Sequence, residues 1–345
     1  MRTFKRHKDF GFFDIDIRLS KLSKLGDPLE RLRLCVDFEL FRKFLEDELT
    51  KNIKSNRGRR PYDYILMFKI MILQRYYNLS DDQVEYQIND RMSFMRFLGL
   101  TVADDIPDSK TVWFFREQLV ELEIVEKMFD MFLKELEKLN LVVNEGKIVD
   151  ASFVEVPKQR NTKAENKEIK EGKTPVSIEN NPDIKSQKDL DARWAKKNNV
   201  SYYGYKNHVK TDAGSKIITK YEVTDASVHD SQVLDNLLDE NDKGEDFYGD
   251  SAYTGQSQEK IVKDKGMVNK ACEKGYKNAP LTEEQKNDNR EKSKTRSRVE
   301  HIFGFMEMSM NGMYVNNIGI KRITAVVGLM NLTYNMFRKV QLTMS

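Results

Sequence analysis

Cysteine is nearly absent from this sequence, which has only Cys35 and Cys272 among 345 residues. The two lie far apart and show no metal-type spacing, so the sequence predicts neither a disulfide framework nor a cysteine-bound metal. No apolar run approaches the roughly 18 residues that a membrane-spanning helix needs. The opening residues, MRTFKRHKDFGFF, lack the apolar core of a secretory signal peptide. These absences predict a protein that stays in the cytoplasm and has no membrane partner.

A strong excess of one charge is lacking as well. Charged residues are 33% of the sequence, yet the net charge is only +3. Such a balance does not by itself indicate a nucleic-acid-binding protein, so a basic surface must come from local clusters. The length allows two domains, or one core with a helical appendage.

Three acidic residues stand out against this background. The stretch KIVDASFVEV at 147–156 has the β-branched and aromatic pattern of a buried strand, with Asp150 inside it. Asp250 follows a second strand-like segment, and Glu300 lies at the edge of the apolar stripe of a later helix. Converging carboxylates repel one another, and hard cations such as Mg²⁺ relieve that repulsion. The pattern indicates phosphoryl transfer assisted by two metal ions.

Several blocks of the sequence resemble a known family. DAS at 150–152, YGDSAYTG at 248–255 and RSRVEHIFGFM at 296–306 are similar to the catalytic blocks of DDE transposases in the IS-four and IS-five insertion-sequence groups. SYYGYKNHVKTD at 201–212 and VTDASVHDSQ at 223–232 resemble the strands between them. The resemblance covers most of the chain.

The resemblance implies an α/β fold, with an RNase-H-like mixed sheet of about five strands and flanking helices. An all-helical domain for DNA binding or dimerisation, residues 1–143, would precede a catalytic domain at 144–345. Within the second domain, residues 157–200 are charged and aperiodic, which predicts a mobile loop. That loop is either a solvated linker or an arm whose lysines follow DNA phosphates.

The family also implies an activity. It is that of a transposase that binds the terminal inverted repeats of an insertion sequence, cleaves the DNA there and joins it to a target. Asp150, Asp250 and Glu300 would be the catalytic metal ligands, with Mg²⁺ as cofactor and Mn²⁺ as a substitute. The expected partners are double-stranded DNA and a second copy of the chain, on the chromosome of a prokaryotic cell. Two alternatives stay open: a nuclease of the same fold without strand transfer, and an inactive DNA-binding descendant.

Candidate DNA-binding residues are basic and occur in three places. One is a loop before a predicted helix, where a plain solvated turn is the alternative; the second is a predicted hairpin; the third leads into the Glu300 helix. In chain order they are Arg57, Arg59, Arg60, Lys206, Lys292, Lys294, Arg296 and Arg298. Family members often have a tyrosine three residues before the helix arginine and a basic residue seven after the glutamate, and here these places hold Ser293 and Glu307.

Two further residues compete for roles in the site. Asp225 is an alternative to Asp250 as the second metal-binding carboxylate, although its position is also typical of a turn residue before a helix. His208 could act as a general base or metal ligand, but a lone histidine in a strand is more often a structural hydrogen-bonding residue.

Overall fold

The structure, a computed structural model, describes residues 11–51, 60–275 and 280–344. Up to residue 138 its regular structure is helical, as the apolar spacing predicts. The α-helices of this part are α1 Asp14–Lys24, α2 Pro28–Cys35, α3 Arg42–Thr50, α4 Tyr64–Tyr77, α5 Asp81–Asp90, α6 Met92–Leu98, α7 Ser109–Glu121 and α8 Val125–Lys138.

Side-chain caps fix where several of these helices begin. Asp63 accepts hydrogen bonds from two amides of the first turn of α4. Ser80 and Gln83 form a reciprocal capping box at α5, and Asp108 caps α7. The first amides of a helix have no partner within it, so a side-chain acceptor at that position stabilises the start. These boundaries are therefore set locally by the sequence.

From residue 147 the chain forms a mixed sheet. Its strands are β1 Lys147–Glu155, β2 Arg193–Lys197, β3 Val200–Asp212, β4 Ile218–Asp225, β5 Asp246–Tyr248 and β6 Val268–Asn269. Along the order β4, β3, β1, β5, β6, the β4–β3 and β3–β1 pairs are antiparallel, and the β1–β5 and β5–β6 pairs are parallel. This is the RNase-H-like arrangement, and β2 is an addition that pairs with the first residues of β3.

The remaining helices cover the sheet and connect its strands. They are α9 Lys163–Lys170, α10 Val176–Glu179, α11 Pro182–Gln187, α12 Leu234–Leu237, α13 Gln256–Asp264, α14 Glu283–Arg296, α15 Glu300–Met308 and α16 Ile320–Thr343. Short 3-10 turns lie at Phe38–Phe41, Asp230–Val233, Glu240–Asp242, Ser251–Tyr253 and Ser297–Val299.

The segment 157–200, for which composition predicts a loop, is instead folded and contains α9, α10, α11 and β2. Thr162 and Glu165 form a capping box at α9. The buried carboxylate of Asp189 accepts a hydrogen bond from the Tyr205 hydroxyl at 2.7 Å. The prediction of a loop was wrong because average polarity hides single caps and one buried anchor, which are enough to order a short segment.

Helix α16 joins the two parts of the chain. Most of its residues are buried, and it packs against α2, α4, α7 and α8 on one side and against β4 on the other. The N-terminal helices and one face of the sheet therefore share a continuous hydrophobic core. A smaller cluster, which includes Val149, Phe247 and Tyr253, covers the opposite face. No helix in the described part of the chain, α16 included, combines the length and apolar character needed to cross a bilayer.

Gly204 lies where β1, β2 and β3 meet, and the close approach there has a testable consequence. Its φ is +145°, and an added Cβ would stand 2.3 Å from the Val154 carbonyl oxygen. We expect Gly204→Ala to lower the free energy of unfolding by on the order of 3 kcal/mol, because backbone would have to move. Urea unfolding measures this change.

Gly172→Ala is the matched control. Gly172 also has a positive φ, +75°, but nothing lies within 4 Å of an added Cβ. Only the conformational penalty of about 1 kcal/mol is expected. Equal losses for the two variants would mean that the contact at Gly204 is not as tight as described.

Candidate active site

The register of two parallel strands brings Asp150 and Asp250 together. Ile148 of β1 is paired with Tyr248 of β5. Asp150 and Asp250 each come two residues after that pair, so they reach the same level of the sheet on neighbouring strands. Asp250 is close enough to act electrostatically on the Asp150 carboxylate.

Asp150 is held in a mostly buried position. Its side chain is 15% exposed, and one oxygen accepts a hydrogen bond from the Ala151 amide at 2.8 Å. The other oxygen lies 3.3 Å from the Arg296 guanidinium. Burial raises the pKa of Asp150 to about 6, and Asp250 adds to the rise, whereas the Ala151 amide and Arg296 lower it. Desolvation thus outweighs the available compensation, which is the condition under which a bound cation stabilises a carboxylate most.

Asp250 is fixed by the turn that it begins. It is the N-cap of the 3-10 turn Ser251–Tyr253, and its side chain accepts a hydrogen bond from the Ala252 amide at 2.8 Å. One carboxylate oxygen is thereby tied to the backbone. The preceding Gly249 is needed because an added Cβ there would meet the Tyr253 ring at 2.8 Å.

Glu300, far along the chain, is linked to Asp150 through Arg296. It is the first residue of α15, and the buried side chains of Val299 and Ile302 anchor it beside the sheet. Its own side chain is 64% exposed and lies 3.7 Å from Arg296. Arg296 therefore contacts both Asp150 and Glu300, and links the strand to the helix.

The fit to divalent cations can be tested on these donors. Within 11–51, 60–275 and 280–344, no three His, Cys, Asp or Glu side chains have the geometry of a metal site on their own. Mg²⁺ needs fewer protein ligands than that, because it retains water and binds phosphate oxygens. Asp150 and Asp250 are neighbouring oxygen donors, and the desolvated Asp150 is already paired with a cationic guanidinium, so the donor chemistry of this pair fits such a cation.

The competing residues are placed elsewhere. Asp225 ends β4, which is separated from β5 by β3 and β1, and its carboxylate accepts hydrogen bonds from Ser227. His208 is fully buried, and its Nε2 pairs with the Thr224 hydroxyl at 2.9 Å. Burial lowers the pKa of His208 to about 4. A neutral, enclosed histidine of this kind fits a structural role.

The basic residues expected to bind DNA are placed in different environments. Arg57 and Arg59 lie outside the described residues, and Arg60 is exposed. The structure does not support Lys206 as a DNA-binding residue. Its ammonium group donates to the Val228 carbonyl and to Asp230, each at 2.7 Å, inside the protein. Its position on β3 turns it towards the half-buried Asp230 carboxylate, so the ammonium group is paired within the protein.

Of Lys292, Lys294 and Arg298, which lie on or just after α14, two are exposed and one is mostly buried. Lys294 is 71% exposed, although Glu291 pairs with it at 2.6 Å. Arg298 is exposed and donates to the Ala213 carbonyl. Lys292 is mostly buried and bound to Asp288.

Two residues near the acidic site were not singled out from the sequence. Lys197, at the end of β2, is exposed and lowers the pKa of Asp150. Tyr253 lies in the block YGDSAYTG and is buried beside Asp250. The block itself could have directed attention to Tyr253, whereas nothing local connects Lys197 to a residue on another strand.

The fold and the acidic residues define an RNase-H-like protein with carboxylates on its central strands. Comparison with known proteins is more specific. The family profile "Transposase DDE domain" matches residues 143–336, and "Transposase domain (DUF772)" matches residues 17–118. A cryo-EM structure of a piggyBac transposase synaptic complex with hairpin DNA is 12% identical over 93% of this chain and 76% of that chain, with a TM-score of 0.45. That similarity is too distant to carry an inference.

The match at 143–336 covers more than half of the chain, including every strand of the sheet. The chain belongs to the DDE transposase family, of the type found in the IS-four and IS-five insertion-sequence groups.

The raised pKa of Asp150 predicts how stability depends on pH. The pKa rises from its ordinary 3.8 to about 6 on folding, so the protonated carboxyl is favoured in the fold. The associated stability is present below the unfolded pKa and is lost as the pH rises through about 6. Without divalent cations, we expect the free energy of unfolding of Asp150→Asn to exceed that of the wild type by on the order of 2 to 3 kcal/mol at about pH 7.5.

Urea unfolding of both proteins at about pH 4 and about pH 7.5 checks this expectation. The gap should nearly close at the lower pH, where the Asp150 carboxyl is neutral in the folded protein. Asp183→Asn, a change on the exposed surface of α11, is the control and should behave as the wild type at both pH values. A wild type as stable as Asp150→Asn at the higher pH would contradict the assignment.

Proposed function

We propose that this transposase binds the terminal inverted repeats of its own insertion sequence, hydrolyses the DNA there and transfers the freed end to target DNA. Asp150, Asp250 and Glu300 are its catalytic residues. The observation that supports this most directly is the shared level of Asp150 and Asp250 on neighbouring parallel strands, with Arg296 linking Asp150 to Glu300.

The three carboxylates would hold Mg²⁺, for which Mn²⁺ can substitute. Bound there, such cations neutralise charge on the phosphodiester and favour deprotonation of the attacking oxygen. Asp150 and Asp250 contribute rigidity, because each has one oxygen fixed by a backbone amide. Glu300, exposed and on a helix, can adjust to the DNA.

Arg296 has a second role in this proposal. Its guanidinium is held next to Asp150 and Glu300, where the scissile phosphate must also lie. Guanidinium groups bind phosphate oxygens in a bidentate manner, so Arg296 can orient the phosphate for in-line attack. In the first step water attacks the phosphorus and the 3′-hydroxyl leaves. In the second step that hydroxyl attacks a target phosphodiester, and the target's own 3′-oxygen is the leaving group.

DNA would contact more than this centre. We infer that residues 1–143 bind DNA or a second protomer, and that 144–345 form the catalytic part. The basic residues assigned to phosphates are Arg57, Arg59 and Arg60 of the N-terminal part, with Lys294 and Arg298 near α15. A homodimer would hold the two ends of the element, on chromosomal DNA in the cytoplasm of a prokaryotic cell.

Cleavage of DNA that carries the flanking inverted repeat tests the proposal. We expect metal-dependent cuts at the element's ends that are lost, by at least about a hundredfold, in Asp150→Asn, Asp250→Asn and Glu300→Gln. Each variant should still bind the DNA in a mobility-shift assay, because the substitutions keep side-chain shape and remove only the charge. Joined products in the presence of target DNA would separate a transposase from a nuclease.

Asp225→Asn is the matched control, and its cleavage should stay near the wild-type rate. A triad variant that cuts as fast as the wild type would remove that residue from the mechanism. Binding of the repeat without cutting by the wild type, with either Mg²⁺ or Mn²⁺, would instead identify an inactive descendant.

Glu307 gives a second, independent prediction. It is exposed and lies two helical turns after Glu300 on the same side of α15, where relatives often have a basic residue. A carboxylate there repels DNA phosphates. We expect Glu307→Lys to tighten binding of the inverted repeat roughly three- to tenfold. The slope of the logarithm of the binding constant against the logarithm of the salt concentration should become steeper by about one.

Glu240→Lys makes the same change in net charge on the exposed 3-10 turn Glu240–Asp242, outside the part inferred to bind DNA, and is the control. Fluorescence anisotropy over a range of salt concentrations measures both. If the two variants gain affinity equally, the effect belongs to total charge and not to the position of Glu307.

A further inference from the structure

Arg75 is a buried cation without a counterion. It lies in the last turn of α4 and is 9% exposed. Among the described residues its guanidinium forms no hydrogen bond and no ion pair. Burial and the neighbouring Arg116 lower the pKa of Arg75 to about 10, so it is still charged at neutral pH. A buried charge destabilises the fold unless an opposite charge lies beside it, and the described side chains do not supply one for Arg75.

The Arg75 side chain lines a cavity of about 240 Å³. Arg116 of α7 and the first turn of α5 line it from the helical side, and residues 314–317, from the loop that leads to α16, line it from the other. Apart from Leu79 and Val315, its lining side chains are polar. The cavity is many times larger than the space that one water molecule needs, so a small ion with attached waters fits in it.

Asp81 is the one acidic side chain that lines this cavity, and other donors occupy it. Its two carboxylate oxygens accept hydrogen bonds from Arg116 at 2.5 and 2.8 Å. One of them also accepts a hydrogen bond from Gln74 at 2.7 Å. Two guanidinium groups therefore share one carboxylate. The charges that line the cavity sum to one positive charge, which an anion would neutralise.

The two walls of the cavity are held together by hydrogen bonds. The Asn78 side chain donates to the Asn311 carbonyl at 3.2 Å, and the Asn311 side chain donates to the Tyr77 carbonyl at 3.0 Å. Further along the loop, the Val315 amide donates to the Glu155 carbonyl at the end of β1, at 2.9 Å. Contacts within the protein thus fix the shape of the cavity, which is typical of a binding site.

Further hydrogen-bond donors lie around the opening of the cavity. It is open to solvent, because its lining includes the exposed residues Ser80 and Asn316. Ser80 is the N-cap of α5, and the amino end of a helix favours an anion. Asn316 and Asn317 bring side-chain amides that form no hydrogen bond with the described residues. Positive charge and unused donors are the features by which proteins recognise oxyanions.

We propose that this cavity binds a phosphate group, with Arg75 as its charged ligand. A tetrahedral oxyanion has several acceptor oxygens, so it can pair with the Arg75 guanidinium and with the amides of Asn316 and Asn317 at the same time. The group is either free inorganic phosphate or a phosphodiester of bound DNA, since the recognition chemistry is the same. Bound there, it would connect the N-terminal helices to the catalytic part. The inference does not depend on the proposed cleavage, because no residue of the acidic site lines the cavity.

Isothermal titration calorimetry of the full chain with sodium phosphate, at constant pH and ionic strength, tests the proposal. The wild type should bind phosphate, and Arg75→Met should bind it at least roughly tenfold more weakly, because a charge-assisted hydrogen bond is lost. Without phosphate, the melting temperature of Arg75→Met should be unchanged or higher by a few degrees, since the substitution removes an uncompensated buried charge.

A second variant and two controls make the test specific. Asn316→Glu changes an exposed residue and places a negative charge at the cavity, so it should also weaken phosphate binding at least roughly tenfold. Asn241→Glu makes the same change in charge on the exposed turn Glu240–Asp242 and should bind phosphate as the wild type does. Arg96→Met removes a mostly buried arginine that is paired with Asp27 at 2.6 Å. It should melt at a lower temperature than the wild type and keep its phosphate affinity.

Fluorescence anisotropy with a labelled inverted-repeat duplex distinguishes the two sources of the group. If a DNA phosphodiester enters the cavity, Arg75→Met weakens DNA binding, and phosphate competes with DNA more strongly than chloride does at the same ionic strength. If free phosphate is the ligand, wild type and Arg75→Met bind DNA equally.

Two results would overturn the proposal. One is a wild type that does not bind phosphate, together with unchanged DNA affinity in Arg75→Met. The other is equal phosphate affinity in the wild type and Arg75→Met. Failure of the proposed function would be seen separately, as a wild type that does not cleave the inverted repeat while these differences in binding persist.

Discussion

The burial of a carboxylate in the central strand is the constraint on which the acidic site depends. Asp150 is surrounded by a sheet that leaves it little water, and one amide and one guanidinium do not compensate for this fully. Such a group is stable only if the neighbouring parts of the chain are arranged around its charge. The positions of Asp250, Arg296 and Glu300 can be understood as that arrangement, each one brought by a different element.

The rigidity behind Asp150 comes from α16. Asn331 exchanges two hydrogen bonds with Asn207 of β3, and Asn335 pairs with both backbone polar groups of Ile218. Polar side chains in the core of a helix are unfavourable unless they are satisfied, and here each one fixes the helix to a particular strand residue. The sheet is thereby held in register against the N-terminal helices, with which α16 shares its core.

The opposite face of the sheet is built differently. Lys206 and Lys210 are turned inward and paired with Asp230, Asp239 and Asp242. Only the Lys210–Asp242 pair is almost fully buried. Such a pair gives little net stability, but either charge left alone would be very unfavourable. The turn that carries Asp250 and Tyr253 packs on this face. The polar contacts there therefore fix the position of the acidic site more than they stabilise the fold.

The sequence by itself determined the local features: the caps at Asp63, Ser80 and Asp108, the β1 pattern around Asp150, the turn after β5 and the resemblance of the catalytic blocks. Periodicity and caps act over a few residues, so they can be read locally. Only the tertiary structure decided that β1 and β5 pair two residues before their aspartates, that Arg296 reaches Asp150 across 146 positions, and that Lys206 is enclosed. These depend on packing between distant segments, which no local pattern encodes.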